Sequence, residues 1–340
     1  MSHSIRRRSS FALGAGALLA TTALIAGCSS SSSDADASAA PDDASDITVA
    51  MVTPESTGEF YGAMYCGAQA AADEEGITLN IQGSPGTSTE EVMQVLQSVL
   101  ATDPDGLLLT VWDNNAFNST LESFTESGKP LVMPDSFLSN GEYVQSIRTD
   151  NYQASYDAAL QAIEDFGVTS GKVLVVTDAP GNAVQSARAE GFRDAITENT
   201  DLEVLEFQYV GGDSAEASQA VSSALAANPD LSLVFTTNIG AGTGAANGIR
   251  TAGADSVLIG FDTASAQVEE LREGSYDALI AQSPYQMGYE ATTLISQILK
   301  GEVDADSITE QDVWSPWELV TADNLDSEEI APYLYTSDCG

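Results

Sequence analysis

Acidic and amide side chains recur in this chain directly after apolar runs. Val257-Leu258-Ile259-Gly260-Phe261 leads into Asp262, Pro130-Leu131-Val132-Met133-Pro134 into Asp135, and Leu107-Leu108-Leu109-Thr110-Val111-Trp112 into Asp113. Val173-Leu174-Val175-Val176-Thr177 leads into Asp178, and Leu233-Val234-Phe235-Thr236-Thr237 into Asn238. Two carboxylates facing one cleft can serve as acid and base, as in glycoside cleavage, or accept hydrogen bonds without reacting. Taken alone, an aspartate after a strand caps a helix or turn more often than it binds.

Apolar runs of this length suit strands buried on both faces, the mark of a parallel sheet. Open parallel sheets hold ligands beyond the carboxyl ends of their strands. One rim therefore carries Asp135, Asn238 and Asp262. The elements alternate accordingly. Strand 47–53, helix 60–75 stopped by Gly76, and strand 77–82 come first. A helix opened by a Ser88–Glu91 capping box then runs to Ala101. The strand ending at Asp113, a helix over 116–127 and the strand ending at Asp135 follow, and 139–151 reads as a loop-rich crossover. Beyond it come strand 172–177, helix 183–198, strand 203–209, helix 214–227, strand 232–237 and helix 243–252. Strand 257–261, a short helix over 268–273, strand 276–282 and helix 286–299 complete the series, before turns, one short strand and a tail. The order is that of an α/β protein with parallel sheets.

The series repeats at an offset of about 125 residues. Pro104 matches Pro229, Asp113 matches Asn238, Gly128 matches Gly253, Gly67 matches Gly191, and Asp135 matches Asp262. The chain reads as two copies of one βαβ-rich unit.

Composition removes several kinds of function. The single histidine, His3, lies in the leader, which excludes Ser-His-Asp and Cys-His catalysis and histidine-ligated metal from the body; no cofactor or metal is expected. With 11 basic and 51 acidic residues the formal net charge is −40, which repels nucleic acid and anionic membranes. Arg6-Arg7-Arg8, an uncharged run from Phe11 to Ile25 and small residues describe a secretory signal peptide. Ile25-Ala26-Gly27-Cys28 resembles the lipobox of bacterial lipoproteins, which implies lipidation of Cys28. Ser29 to Asp46 is a Ser, Ala and Asp tether too polar to fold. Setting Cys28 aside leaves Cys66 and Cys339, an even pair in an oxidising compartment and an expected disulfide; two buried thiols are the alternative.

The segments Glu59-Phe60-Tyr61, Gly67-Ala68-Gln69, Pro104-Asp105-Gly106 and Thr149-Asp150-Asn151 follow one another in this order. Arg188-Ala189-Glu190-Gly191-Phe192, Gly260-Phe261-Asp262 and Ala281-Gln282-Ser283-Pro284 come after them. Together, over 47 to about 324, they resemble the substrate-binding proteins of bacterial sugar ABC importers, the ribose-binding, type I periplasmic-binding-protein class. The Cys66 and Cys339 pair is similar to one in a subgroup of these lipoproteins. The resemblance implies two similar doubly wound parallel-sheet lobes joined by three crossings, near Asp150, Ser283 and Val313, with a ligand cleft between them. The expected division is a leader over 1–27, a tether over 28–46 and an N-terminal lobe of 47–150 with 284–312. A C-terminal lobe of 151–283 with 313–320 follows, and a tail over 321–340 is tied to the N-terminal lobe.

The resemblance also implies roles. Phe60 and Tyr61 would stack on the C–H faces of a sugar, although core positions on the first helix suit them too. Asp135 and Asp262 would accept from hydroxyls, Asn238 and Gln282 would offer amides, and Arg188 would donate to ring or hydroxyl oxygens. Ser136 stands where ribose-binding members often have arginine, and Gly212 where they have an aromatic ring, so the pocket suits a bulkier or differently hydroxylated ligand. Trp112, beside Asp113, is a candidate replacement ring or a rim or core tryptophan. The function implied is capture of a neutral sugar or polyol, without chemistry. A lipid-anchored monomer on the outer face of the membrane would hand it to an import permease.

Two enzyme readings compete. Gly240-Ala241-Gly242-Thr243-Gly244-Ala245 follows a strand and opens a helix, as in the dinucleotide fingerprint of an NAD-dependent oxidoreductase. Against it, the motif lies in the third strand unit of the second copy, where the glycines also suit close backbone packing. The other reading makes Asp135 and Asp262 the carboxylate pair of a glycosidase.

Overall fold

The computed structural model describes residues 47–339; the leader, the tether and Cys28 lie outside the described residues. The apolar runs form the strands expected of them. The first sheet is built from β1 (Thr48–Thr53), β2 (Thr78–Gly83), β3 (Gly106–Leu109), β4 (Leu131–Pro134) and β5 (Gln145–Arg148). Helices α1 (Glu59–Glu75), α2 (Thr89–Leu100) and α3 (Asn118–Glu126) connect them. Strands β3 and β4 are buried along their whole length, because helices cover both faces of the sheet.

The chain then passes to a second sheet. Helix α4 (Asn151–Phe166) leads to β6 (Lys172–Thr177), α5 (Ala183–Asn199), β7 (Glu203–Val204) and β8 (Gln208–Tyr209). Next come α6 (Ser214–Ala227), β9 (Leu231–Thr236), α7 (Ile239–Ala252), β10 (Val257–Phe261), α8 (Ser265–Arg272) and β11 (Ala278–Ala281). Helix α9 (Pro284–Leu299) returns to the first sheet, where β12 (Asp312–Trp314) pairs with β5, and β13 (Glu318–Thr321) closes the second sheet against β11. The strand orders are β12-β5-β4-β3-β1-β2 and β13-β11-β10-β9-β6-β7, with β8 also on β6. All pairings are parallel except β11 with β13. The chain therefore passes between the sheets at 149–150, 282–283 and 315–317.

Four apolar clusters, one on each face of each sheet, make these two lobes doubly wound α/β units. The matched glycines explain part of the repeat. A Cβ on Gly67 of α1 would lie 1.9 Å from the Tyr285 carbonyl oxygen of α9, and one on Gly191 of α5 would lie 2.2 Å from that of Tyr152 of α4. Each lobe thus packs the helix that enters it from a crossing backbone to backbone at the same point.

Several boundaries depart from the sequence expectation. Strand β5 and helix α4 occupy residues read as a crossover or left unassigned. The buried face of α4 is Ala154, Ala158, Ala159 and Ala162 with Ser155 and Asn151, too small to give a strong apolar signal. The strand expected over 203–209 is two short pieces. Helix α7 begins four residues early, because the Asn238 side chain accepts from the Ala241 N–H and caps it.

Candidate ligand-binding site

The carboxyl ends of β1, β4, β6, β9, β10 and β11 and the first turns of α1, α5 and α7 converge on one cavity of about 470 Å³. Phe60, Tyr61, Trp112, Asp135, Arg188, Asn238, Asp262 and Gln282 all line it, 222 residues apart from first to last. Two expected residues do not. Asp113 turns away to accept from the N–H groups of Asn115 and Ala116. Ser136 is buried behind the wall, accepting from the Val111 N–H at 3.1 Å and donating to the Leu109 carbonyl. Both are structural: one caps a turn and the other ties β4 to the end of β3.

The acids and the arginine form the electrostatic centre. Among the described residues, no hydrogen bond reaches the Asp135 carboxylate, and desolvation in the cavity wall pushes its pKa up to about 7. Arg188 opposes that shift and Asp262 adds to it. Arg188 is buried, donating from Nε to Asn151 Oδ1 at 2.7 Å and from Nη1 to the Thr237 carbonyl at 2.9 Å. Its guanidinium lies 3.6 Å from the centre of the Phe261 ring. Burial lowers its pKa, while Asp262 and Asp135 raise it. Among the described residues Nη2 has no hydrogen-bond partner, and Arg188 lines the cavity.

Asp262 and the amides are already engaged on one side. Asp262 Oδ1 accepts from Gln282 Nε2 at 2.7 Å and from the Tyr335 hydroxyl at 2.9 Å. Gln282 Oε1 in turn accepts from Thr149 Oγ1 at 2.9 Å, which links the first two crossings through the site. Asn238 spends its carbonyl oxygen on the cap of α7, and its Nδ2 reaches Gln185 Oε1 only at 3.5 Å. Trp112 is 40% exposed and donates from its indole to the Tyr61 hydroxyl at 3.0 Å. Tyr61 is buried, which raises its phenol well above the usual range, with Asp135 adding to the shift. It is a wall residue whose ring meets Phe60 edge-on.

The sequence reading missed Glu55, Glu59, Thr87, Asp178, Asn182 and Gln185, which also line the cavity. Asp178 carried the same strand-end signal as Asp135. Asn182 and Gln185 lie in the first turn of α5, where Asn182 is the cap.

The glycine-rich motif has a different role from a phosphate loop. Gly240, Gly242 and Gly244 are inside α7 rather than in a turn before it. A Cβ on Gly240 would lie 2.0 Å from the Gly212 carbonyl oxygen, and one on Gly244 2.3 Å from that of Ser214. The glycines let α7 approach α6 and the loop before it, which corrects the dinucleotide reading.

The periplasmic binding protein domain family matches residues 49–303. The ribose import binding protein RbsB of Salmonella typhimurium is 27% identical over 256 residues, covering 75% of this chain and 86% of the relative. RbsB of Bacillus subtilis is 24% identical over 257 residues, covering 76% and 83%. A solute-binding protein of an ABC transporter from Agrobacterium vitis, solved with bound α-D-tagatopyranose, superposes with a TM-score of 0.78. It is 27% identical, covering 86% of this chain and all of that one. The arabinose-binding protein AraP of Geobacillus stearothermophilus gives a TM-score of 0.76 at 26% identity, covering 83% and 98%.

Proposed function

The chain belongs to the periplasmic binding protein domain family, of the ribose-binding-like type I class, and from that premise we propose that it captures a neutral sugar or polyol in the cavity between its lobes. The observation that carries the reading is the convergence of open hydrogen-bonding groups beside aromatic rings. The Asp135 carboxylate, Asp262 Oδ2 and Arg188 Nη2 have no partner among the described residues, and all three residues line the same cavity as Phe60 and Trp112. A sugar presents hydroxyls that donate to carboxylates and accept from a guanidinium, while its C–H faces suit the rings. The relatives named above bind ribose, tagatose or arabinose, which supports the ligand class. An uncharged ligand also suits a chain of net charge −40.

The remaining steps belong to the same proposal. The two lobes close over the ligand, and the closed form is presented to an import permease. No chemistry is done on the ligand. The protein works outside the cytoplasm, as its family does, held to the outer face of the membrane by lipid on Cys28 as a monomer. Cys66 and Cys339 are oxidised there.

Thermal unfolding against D-ribose, D-allose, D-tagatose, D-fucose, arabinose, neutral polyols and NAD tests the reading. Ligand at about 100 times its dissociation constant adds roughly 2.7 kcal/mol, a shift of several degrees. A saturable shift with a sugar or polyol, lost in Asp135→Asn, is expected; a shift with NAD alone would overturn the proposal.

A further inference from the structure

We propose that Tyr335, delivered by the C-terminal tail, is a positioning residue that holds the Asp262 carboxylate from behind; the inference rests on the sugar-binding reading of the cavity. Its hydroxyl donates to Asp262 Oδ1 at 2.9 Å, and the Gln282 N–H donates to the same hydroxyl at 3.3 Å. With Gln282 Nε2 also on Oδ1, one oxygen of Asp262 takes two protein donors while Oδ2 takes none among the described residues. The carboxylate is thereby turned so that Oδ2 is the oxygen left for a ligand. Tyr335 itself is 4% exposed and does not line the cavity, so it acts through Asp262.

The tail is anchored on both lobes. On the second lobe, Leu325 and Ile330 join the apolar cluster that includes Val268 and Leu271. Thr263 Oγ1 donates to the Tyr333 carbonyl, and the Tyr335 N–H donates to the Thr263 carbonyl at 3.3 Å. These bonds fall on the residue after Asp262, whose backbone is left-handed at φ 78° and needs neighbours to hold it. On the first lobe, the Tyr335 ring meets Phe60 edge-on at 5.5 Å, and Ser337 fills the space a Cβ on Gly62 would need. Cys339 is joined to Cys66 of α1. The disulfide therefore fastens the tail four residues beyond the tyrosine, limiting how far Tyr335 can leave Asp262.

The test compares the full chain with Tyr335→Phe, Cys339→Ser and the double variant, in two measurements. Hydrogen exchange of the Gln282 amide in the ligand-free protein needs no ligand. Affinity is read by calorimetry with D-ribose, D-tagatose and the other sugars and polyols of the thermal panel. Tyr335→Phe keeps the ring and is expected to speed Gln282 exchange and weaken the bound sugar about tenfold, the scale of one lost hydrogen bond to a charged group. Cys339→Ser should weaken the sugar less, and the double variant no more than Tyr335→Phe, because both act through one group. Unchanged Gln282 exchange in Tyr335→Phe would overturn the proposal, as would faster exchange with unchanged affinity. Faster exchange in a protein that binds no sugar or polyol would retain Tyr335 as the holder of this segment and reject the sugar reading instead.

Discussion

Asp135 and Asp262 end matching strands of the two lobes, and both have left-handed backbone, with φ of 57° and 78°. Each N–H donates to an isoleucine carbonyl on the neighbouring strand, Ile147 at 2.8 Å and Ile280 at 2.9 Å. The chain turns sharply off the sheet edge there, and both residues face the cavity. Aspartate and asparagine tolerate this conformation better than other non-glycine residues. The same backbone solution thus recurs at two sites related by the internal repeat.

The open carboxylate of Asp135 costs stability. Its pKa is raised to about 7 in the folded protein against 3.8 for the free side chain. Between these values the folded state holds a proton that the unfolded state has released, so this group makes stability fall as pH rises from about 4 to 7. Above pH 7 the penalty is constant, on the order of a few kcal/mol. Asp135→Asn keeps a side chain suited to the left-handed backbone and removes the charge. Urea unfolding of the ligand-free variant at pH 8 should show a gain of a few kcal/mol, shrinking towards pH 4, even though ligand is lost. A variant less stable than the parent at pH 8 would contradict this account.

Ligand affinity should carry the opposite signature. A hydroxyl donates more strongly to the ionised carboxylate of Asp135 than to the neutral acid, so affinity should be level above about pH 7 and fall below it. Loss of one proton-coupled site limits the slope to about tenfold per pH unit. Isothermal titration between pH 5 and 8.5 checks it. A flat profile would mean that Asp135 does not accept from the ligand.

Gly67 and Gly191 should be among the least replaceable residues. Alanine at either would drive a Cβ to within about 2 Å of a backbone carbonyl on the partner helix, where no side chain can swing away. Overpacking of this kind costs about 1–3 kcal/mol, or more where backbone must move. Denaturant unfolding of Gly67→Ala and Gly191→Ala should show losses of that size or larger. Gly128→Ala meets no neighbour within 4 Å but carries a positive φ of 82°, and should cost only about 1 kcal/mol.

The cysteine pair offers a chemical check. Cys66 and Cys339 lie 273 residues apart with Cα atoms 5.1 Å from each other. Mass spectrometry after alkylation of the exported protein should find both protected until reductant is added. Labelling of both without reductant would show free thiols.

What could be read from sequence followed from side-chain size and period. Mostly apolar runs located β1, β3, β4, β6, β9 and β10, and the polar residues after four of them, Asp135, Asp178, Asn238 and Asp262, lie on the cavity wall. Helix α4 escaped because its buried face is alanine, and β5 because four residues of Gln145-Ser146-Ile147-Arg148 carry no clear alternation. Backbone handedness at Asp135 and Asp262 is invisible in residue type. Tyr335 could not be placed, since it meets Asp262 across 73 residues through a tail without regular pattern. Asp113 shows the converse: the strand-end signal was present, but local N–H groups took the carboxylate.

Glu59 provides a direct link between the lobes and the last prediction. It is the first residue of α1, and its Oε2 accepts from the N–H of Ser265 at 2.6 Å and from its hydroxyl at 2.7 Å. Ser265 opens α8 on the second lobe, and the residue before it, Ala264, has no side chain able to cap that helix. The acceptor comes instead from the opposite lobe, where a carboxylate at a helix N-terminus is favoured by charge as well as by hydrogen bonding. This bond must break whenever the two helix ends separate. Glu59→Ala should therefore hasten ligand release several-fold while the association rate changes less, since most effects of interface mutations fall on the dissociation rate. Stopped-flow displacement of bound sugar measures it, with Glu59→Gln, which keeps an acceptor, falling between the two. Equal release rates in all three proteins would show that the Glu59–Ser265 link does not hold the lobes together.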